Sequence, residues 1–224
     1  MSDPKDFQFD LSEEHRPTNV DLVEEWYPGI QSAALATSTG RIYDPILGVR
    51  AVVIHATAGS SSSGAASVIT DGIASFHWLV PDENEEQHGK IVWATCHEAR
   101  AAWHVRNSAW HPDVWNGRKK INHYSLGIEV VNRQTPSDSF SSWQVEATAR
   151  IVRYCWAKYP NLKHVVSHAK LDPTRRSDPG TSFPWGEFQE LVLSSGSDGL
   201  DELIANAPAP NSSERGKESC CMAV

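Results

Sequence analysis

Two histidines, two carboxylates and a pair of arginines carry the chemistry this sequence offers. Residues 167–180, S-H-A-K-L-D-P-T-R-R-S-D-P-G, set His168 and Asp178 ten positions apart around a cationic turn stiffened by proline. Far upstream, A-V-V-I-H-A-T-A-G delivers His55 from the end of an apolar stretch into a Thr-Ala-Gly loop. Two imidazoles and one carboxylate supply three ligands for a tetrahedral zinc ion and leave its fourth position open to water. That is the arrangement of a catalytic zinc rather than a closed structural one. Because the imidazoles bind neutral and the carboxylate ionised, about one positive charge remains on the site to acidify water.

Glu129 lies in the apolar run S-L-G-I-E-V-V-N. A carboxyl group set in an apolar wall has a raised pKa, and beside a metal it can take a proton from water and return it to a leaving amine. A salt-bridged structural glutamate is the competing reading, and the catalytic one is preferred. Arg175 or Arg176 would then hydrogen-bond the oxyanion that forms when a carbonyl is attacked. The sequence leaves open which of the two faces inward.

These residues need a scaffold of strands that end at one place. Residues 52–55 read as a buried strand, and 60–72 as a helix whose leading serines cap its free N–H groups. Residues 75–80 alternate and stop at Pro81, 91–95 form a further strand, and 125–131 another apolar run. Residues 141–159 carry Val145, Thr148, Val152, Cys155, Trp156 and Tyr159 at helical spacing. A short strand over 164–168 and a last helix over 183–193 complete an α/β fold, a central mixed β-sheet flanked by helices. The organisation expected is an N-terminal arm over 1–48 packed on the domain, with a short helix at 20–26. The domain itself spans 49–193, and a flexible tail rich in Ser, Gly, Asp and Pro covers 194–224.

Composition narrows the field. At 224 residues with nine tryptophans the chain can bury one sizeable core. Its 20 Lys+Arg against 28 Asp+Glu give a net charge of −8, which disfavours nucleic acid as a partner. The basic clusters at 118–120 and 175–176 are local. Cys96, Cys155 and the pair Cys220-Cys221 show neither a disulfide framework nor the spacing of a Cys-rich zinc knuckle. No apolar run is long enough to cross a bilayer, and the acidic start has no apolar signal region. The expectation is a monomer that is cytoplasmic or exported by a non-Sec route.

In order, the motifs I-H-A-T-A-G, S-F-H-W-L-V, A-W-H-V, N-H-Y-S-L-G-I-E-V-V-N and S-H-A-K-L-D-P-T-R-R-S-D-P-G resemble the type-2 N-acetylmuramoyl-L-alanine amidases, which share the peptidoglycan-recognition-protein fold. The likeness covers residues 49–193. It implies zinc-dependent hydrolysis of the amide between the lactyl group of N-acetylmuramic acid and the L-alanine of the peptidoglycan stem peptide. One Zn2+ per chain is implied, with peptidoglycan or muropeptide fragments as partners. His55, His168 and Asp178 match the family's zinc ligands and Glu129 its acid/base. Arg176 stands where many members have a lysine, which keeps the charge and changes its shape. His77, Trp103 and His104 sit in family-like segments. Two readings stand for these three, lining of the substrate groove and packing beneath it.

A second reading of the whole chain is a non-catalytic muropeptide-binding module of the same fold, and a third a closed structural zinc protein. The complete ligand set speaks against the second, and Glu129 against the third. The last four residues, C-M-A-V, fit a loose lipidation box at Cys221, although Val is an unusual final residue; an incidental Cys-rich end is the preferred reading.

Overall fold

The computed structural model describes residues 3–194. In chain order they form β1 (Gln8–Asp10), β2 (Glu25–Trp26), α1 (Gln31–Ala36), β3 (Ser38–Gly40), β4 (Ala51–Ala56), α2 (Ser62–Thr70), β5 (Trp78–Val80), β6 (Trp93–Ala94), β7 (Arg100–Ala102), β8 (Ser125–Val130), α3 (Ser142–Lys158), β9 (His164–Ser167), α4 (His168–Leu171) and α5 (Trp185–Leu193). Seven strands make one mixed sheet in the order β1-β9-β4-β8-β5-β6-β2, and β3 pairs with β7 beside it. The central strands β9, β4, β8 and β5 run parallel, so their carboxyl ends share one edge. In such sheets that edge is where ligands bind.

Alternation along β4 and β8 assigns each residue a face. Val52, Ile54, Ala56, Leu126, Ile128 and Val130 point into the main core, where they meet Val145, Val152 and Trp156 of α3 and Phe188 and Val192 of α5. Ala51 and Val53 point the other way, into a smaller cluster with Val105, Ile121, Tyr124 and Val166. A third cluster sets α1 and α2 against Leu79, Trp93 and Val131. The long helix starts where its capping signal predicts: Ser141 Oγ accepts the Gln144 N–H, and the Gln144 side chain accepts the Ser141 N–H.

The sequence places a helix at 20–26, and the structure replaces it with β2. The Glu25 and Tyr27 N–H groups bond the carbonyls of Val92 and Ala94, so a sheet edge takes the donors a helix would have used internally. Apolar residues over so short a run suit either state. At the opposite edge β1 pairs antiparallel with β9. There Phe7 stacks on Trp185 with ring centroids 4.8 Å apart. Residues ahead of position 49 thus supply both outermost strands of the sheet. The expected tail beyond Ser194, with Cys220 and Cys221, lies outside the described residues.

Candidate active site

In the parallel ladder His55 of β4 is directly opposite Glu129 of β8, and both sit on the face turned away from α3. The neighbouring strand β9 ends at Ser167, whose hydroxyl accepts the Lys170 N–H at 3.0 Å and starts the single turn of α4. That turn carries His168 toward His55. The Ala169 N–H then donates to the carbonyl of Asp178 at 3.0 Å, so the arginine-bearing loop returns to the helix it left.

The result is a convergence of three donor atoms. His55 Nδ1 and His168 Nδ1 are 3.0 Å apart, and Asp178 Oδ2 lies 2.9 Å from the second and 3.3 Å from the first. Nitrogen and oxygen ligands roughly 2.0–2.1 Å from a tetrahedral zinc would be separated by roughly 3.3 Å, so the spacing fits such an ion after little adjustment. All three residues are buried. Charge state also fits. Burial, then the neighbouring His168, pushes the His55 imidazole down to about 4, so it is neutral at pH 7. Burial alone would favour a protonated Asp178, but the hydrogen bond from His168 and the closeness of the His55 ring outweigh it and hold the carboxyl below its ordinary range. The cluster can hold a metal ion.

These residues face a cavity of about 520 Å³ whose wall also includes Thr57, His104, Glu129, Gln134 and both arginines. Glu129 is half-buried there. Desolvation first, and the Asp178 charge second, raise its carboxyl well above the usual range, while Arg176 pulls the other way. A carboxyl raised in this way holds a proton more readily than an ordinary one, which suits a group that takes a proton and gives it back. The arginines separate by their partners. Arg175 Nη1 lies 3.4 Å from Asp172 Oδ2, a carboxylate that Arg106 also reaches at 3.1 Å. Arg176 has no hydrogen bond from its guanidinium to any described residue, and its charge acts on His55 and Glu129. Both arginines line the cavity, and Arg176 is the one whose guanidinium is not engaged by Asp172.

Of the three groove candidates, the structure brings only His104 to the cavity wall. His77 is wholly buried away from it. Its Nδ1 accepts the Gly127 N–H at 2.9 Å and its Nε2 lies 3.1 Å from the Arg100 carbonyl. The ring thus stands in for a strand carbonyl just before β5 begins. Trp103 is 40% exposed and not part of the cavity lining; its backbone N–H is tied to Ser75. Sequence reasoning passed over Gln134, which reaches from the loop after β8 to the Ala56 carbonyl at 3.0 Å and lines the cavity. An isolated glutamine in N-R-Q-T-P gives no spacing signal.

Residues 45–181 match the family model of N-acetylmuramoyl-L-alanine amidases, and the chain belongs to that family. It is 32% identical over 151 residues to the N-acetylmuramoyl-L-alanine amidase AmiD of Escherichia coli (strain K12), an alignment covering 63% of this chain and 52% of AmiD. With the 1,6-anhydro-N-acetylmuramyl-L-alanine amidase AmpD of the same strain it shares 33% over 87 residues, 38% of this chain and 46% of AmpD. Among solved structures it is similar to AmpDh3 from Pseudomonas aeruginosa, with a TM-score of 0.59 and 27% identity over 70% of this chain and 63% of that one. It is also similar to AmiD from E. coli in complex with the substrate anhydro-N-acetylmuramic acid-L-Ala-D-gamma-Glu-L-Lys, with a TM-score of 0.55 and 28% identity over 75% and 67% of the two chains. The chain spans about half the length of the curated relatives it matches.

Proposed function

We propose that this protein is a zinc-dependent N-acetylmuramoyl-L-alanine amidase that cleaves the amide joining the lactyl group of N-acetylmuramic acid to L-alanine of the stem peptide. The observation that carries this reading is the pairing of Glu129 with His55 across one rung of the sheet, which sets a proton-accepting carboxyl beside the His55–His168–Asp178 cluster in one cavity. A zinc ion held by those three residues would polarise the scissile carbonyl and make a nearby water more acidic. Glu129 takes the proton from the attacking water as its oxygen bonds to the carbonyl carbon, then delivers that proton to the alanine nitrogen as the C–N bond breaks. Arg176 offers N–H donors to the carbonyl oxygen as negative charge builds on it. The products are the lactyl carboxylic acid and a peptide with a free L-alanine amino group.

A muropeptide-binding module would use the same cavity and would have no need of a general base. Support for the enzyme therefore lies in Glu129 rather than in the fold. Purified muropeptides incubated with the protein, with chelator and then with zinc restored, test the proposal by mass spectrometry. Release of stem peptide that stops with chelator and returns with zinc is expected. Intact substrate despite stoichiometric bound zinc would leave the binding module as the better description.

A further inference from the structure

A ligating histidine must present one nitrogen free of hydrogen, and each imidazole has two to choose from. We propose that His104 is a positioning residue that fixes His55 in its metal-binding tautomer, through a hydrogen-bond relay anchored on the backbone carbonyl of Ile121. The inference rests on His55 being a metal ligand.

The direction of the relay follows from its anchored end. A carbonyl only accepts, so Ser125 Oγ, 2.8 Å from the Ile121 oxygen, spends its hydrogen there. The same Oγ then faces His104 Nε2 at 3.1 Å as an acceptor, which requires the hydrogen on Nε2. Buried beside two other imidazoles and bonded to no carboxylate among the described residues, His104 is neutral and has one N–H. Its Nδ1 is consequently a bare acceptor, 3.0 Å from His55 Nε2. His55 must donate, and its own Nδ1 is left with a lone pair aimed at His168 Nδ1 and Asp178 Oδ2. Metal-binding histidines are commonly oriented by a partner on the far nitrogen; here the partner is another imidazole.

The surroundings hold His104 to this task. On one side the Trp103 N–H donates to Ser75 Oγ at 2.9 Å. On the other, the Val105 N–H donates to Asn122 Oδ1 at 2.9 Å while the Asn122 amide returns a bond of 2.7 Å to the Val105 carbonyl. Gly127 completes the seat, because a Cβ there would lie 2.7 Å from His104 Cγ, too close for both to stay. The glycine of S-L-G-I-E-V is thus the space the relay occupies.

The first test is long-range 1H–15N correlation spectroscopy on the metal-free, histidine-labelled protein at neutral pH. His55 and His104 are both expected as Nε2–H tautomers. A His104 protonated on Nδ1 would overturn the relay. The second test measures zinc affinity by competition with a chromophoric chelator, with circular dichroism and Tm recorded alongside. His104→Phe removes the acceptor and should weaken zinc binding by about 10–100-fold. His104→Asn, which places an oxygen near the Nδ1 position, should recover most of that loss. Zinc affinity unchanged in His104→Phe would sink the proposal. If that variant does not fold, Ser125→Ala and the wild-type tautomers still decide it. A wild-type chain that binds no zinc would sink the metal site and this proposal with it, whereas a zinc-binding chain with Nδ1–H His104 would sink the relay alone.

Discussion

The two faces of the central sheet are built from the same two strands and obey different rules. On the side toward α3 and α5 every inward residue of β4 and β8 is aliphatic and fully or nearly buried. On the opposite side, beyond Ala51 and Val53 at the start of β4, the same strands offer His55, Ser125, Gly127 and Glu129, and the packing around these four is a network of imidazoles, hydroxyls and amides. The difference shows that consecutive residues of one strand can set a stabilising side chain and a chemical one back to back. Substitutions on one face should therefore move stability, and on the other chemistry.

The sharpest way to break that distinction uses neighbours in one strand. Glu129→Gln should lower kcat/KM on muropeptides by about 10²–10⁴-fold. Its Tm should be unchanged or higher, since a half-buried carboxyl is exchanged for a neutral amide, and its zinc content should stay stoichiometric by elemental analysis. A large fall in Tm would show that Glu129 belongs to the architecture instead. Ile128→Ala, one residue earlier and fully buried on the other face, should cost about 2–5 kcal/mol in denaturant unfolding. The folded fraction should keep its zinc and its turnover.

Much of the chemical face was legible beforehand because its residues announce themselves twice. His55, Glu129 and His168 each stand at or near the end of an apolar run, and the register of β4 against β8 then puts His55 and Glu129 on one side of the sheet. Asp178 follows from its loop. What stayed hidden depends on contacts between distant segments. His104 and His77 sit in similar aromatic-histidine motifs, yet one ring passes over the bare Gly127 to reach His55 and the other completes a strand ladder. Which arginine is tied up was equally invisible, since it turns on Asp172 being taken by Arg175 and Arg106. The outer strands escaped notice because two or three residues have no periodicity to read.

The chemical face should also carry a pH signature that the apolar face lacks. Burial lowers His55 to about 4 and His77 to about 3, whereas in the unfolded chain both titrate near 6.5. Below that value the unfolded state binds protons that the metal-free folded state refuses. Stability is therefore complete above about pH 6.5 and falls on acidification, down to about 4 for His55 and about 3 for His77. Each imidazole should contribute a slope of about 1.4 kcal/mol per pH unit within its window. His77→Gln should reduce the slope measured by urea unfolding across this range, and Ile128→Ala should leave it as it was. Equal slopes in the wild type and His77→Gln would mean that His77 is not buried neutral.

The smallest effect expected separates two serines with the same local job. Ser61 caps α2 by accepting the Gly64 N–H at 3.2 Å, and Ser167 caps α4 by accepting the Lys170 N–H at 3.0 Å. Replacing either by alanine should cost about 1 kcal/mol. Ser167 also reaches a distant segment. Its hydroxyl donates to the Pro4 carbonyl at 2.6 Å and its N–H to that of Phe7 at 3.0 Å, so the cap also fastens the N-terminal strand to the turn that presents His168. Ser167→Ala should accordingly weaken zinc binding in the chelator competition, while Ser61→Ala lowers Tm without touching it. Equal zinc affinities in the two variants would show that β4 and the Asp178 loop alone set the metal geometry, and that α4 needs no help from β1.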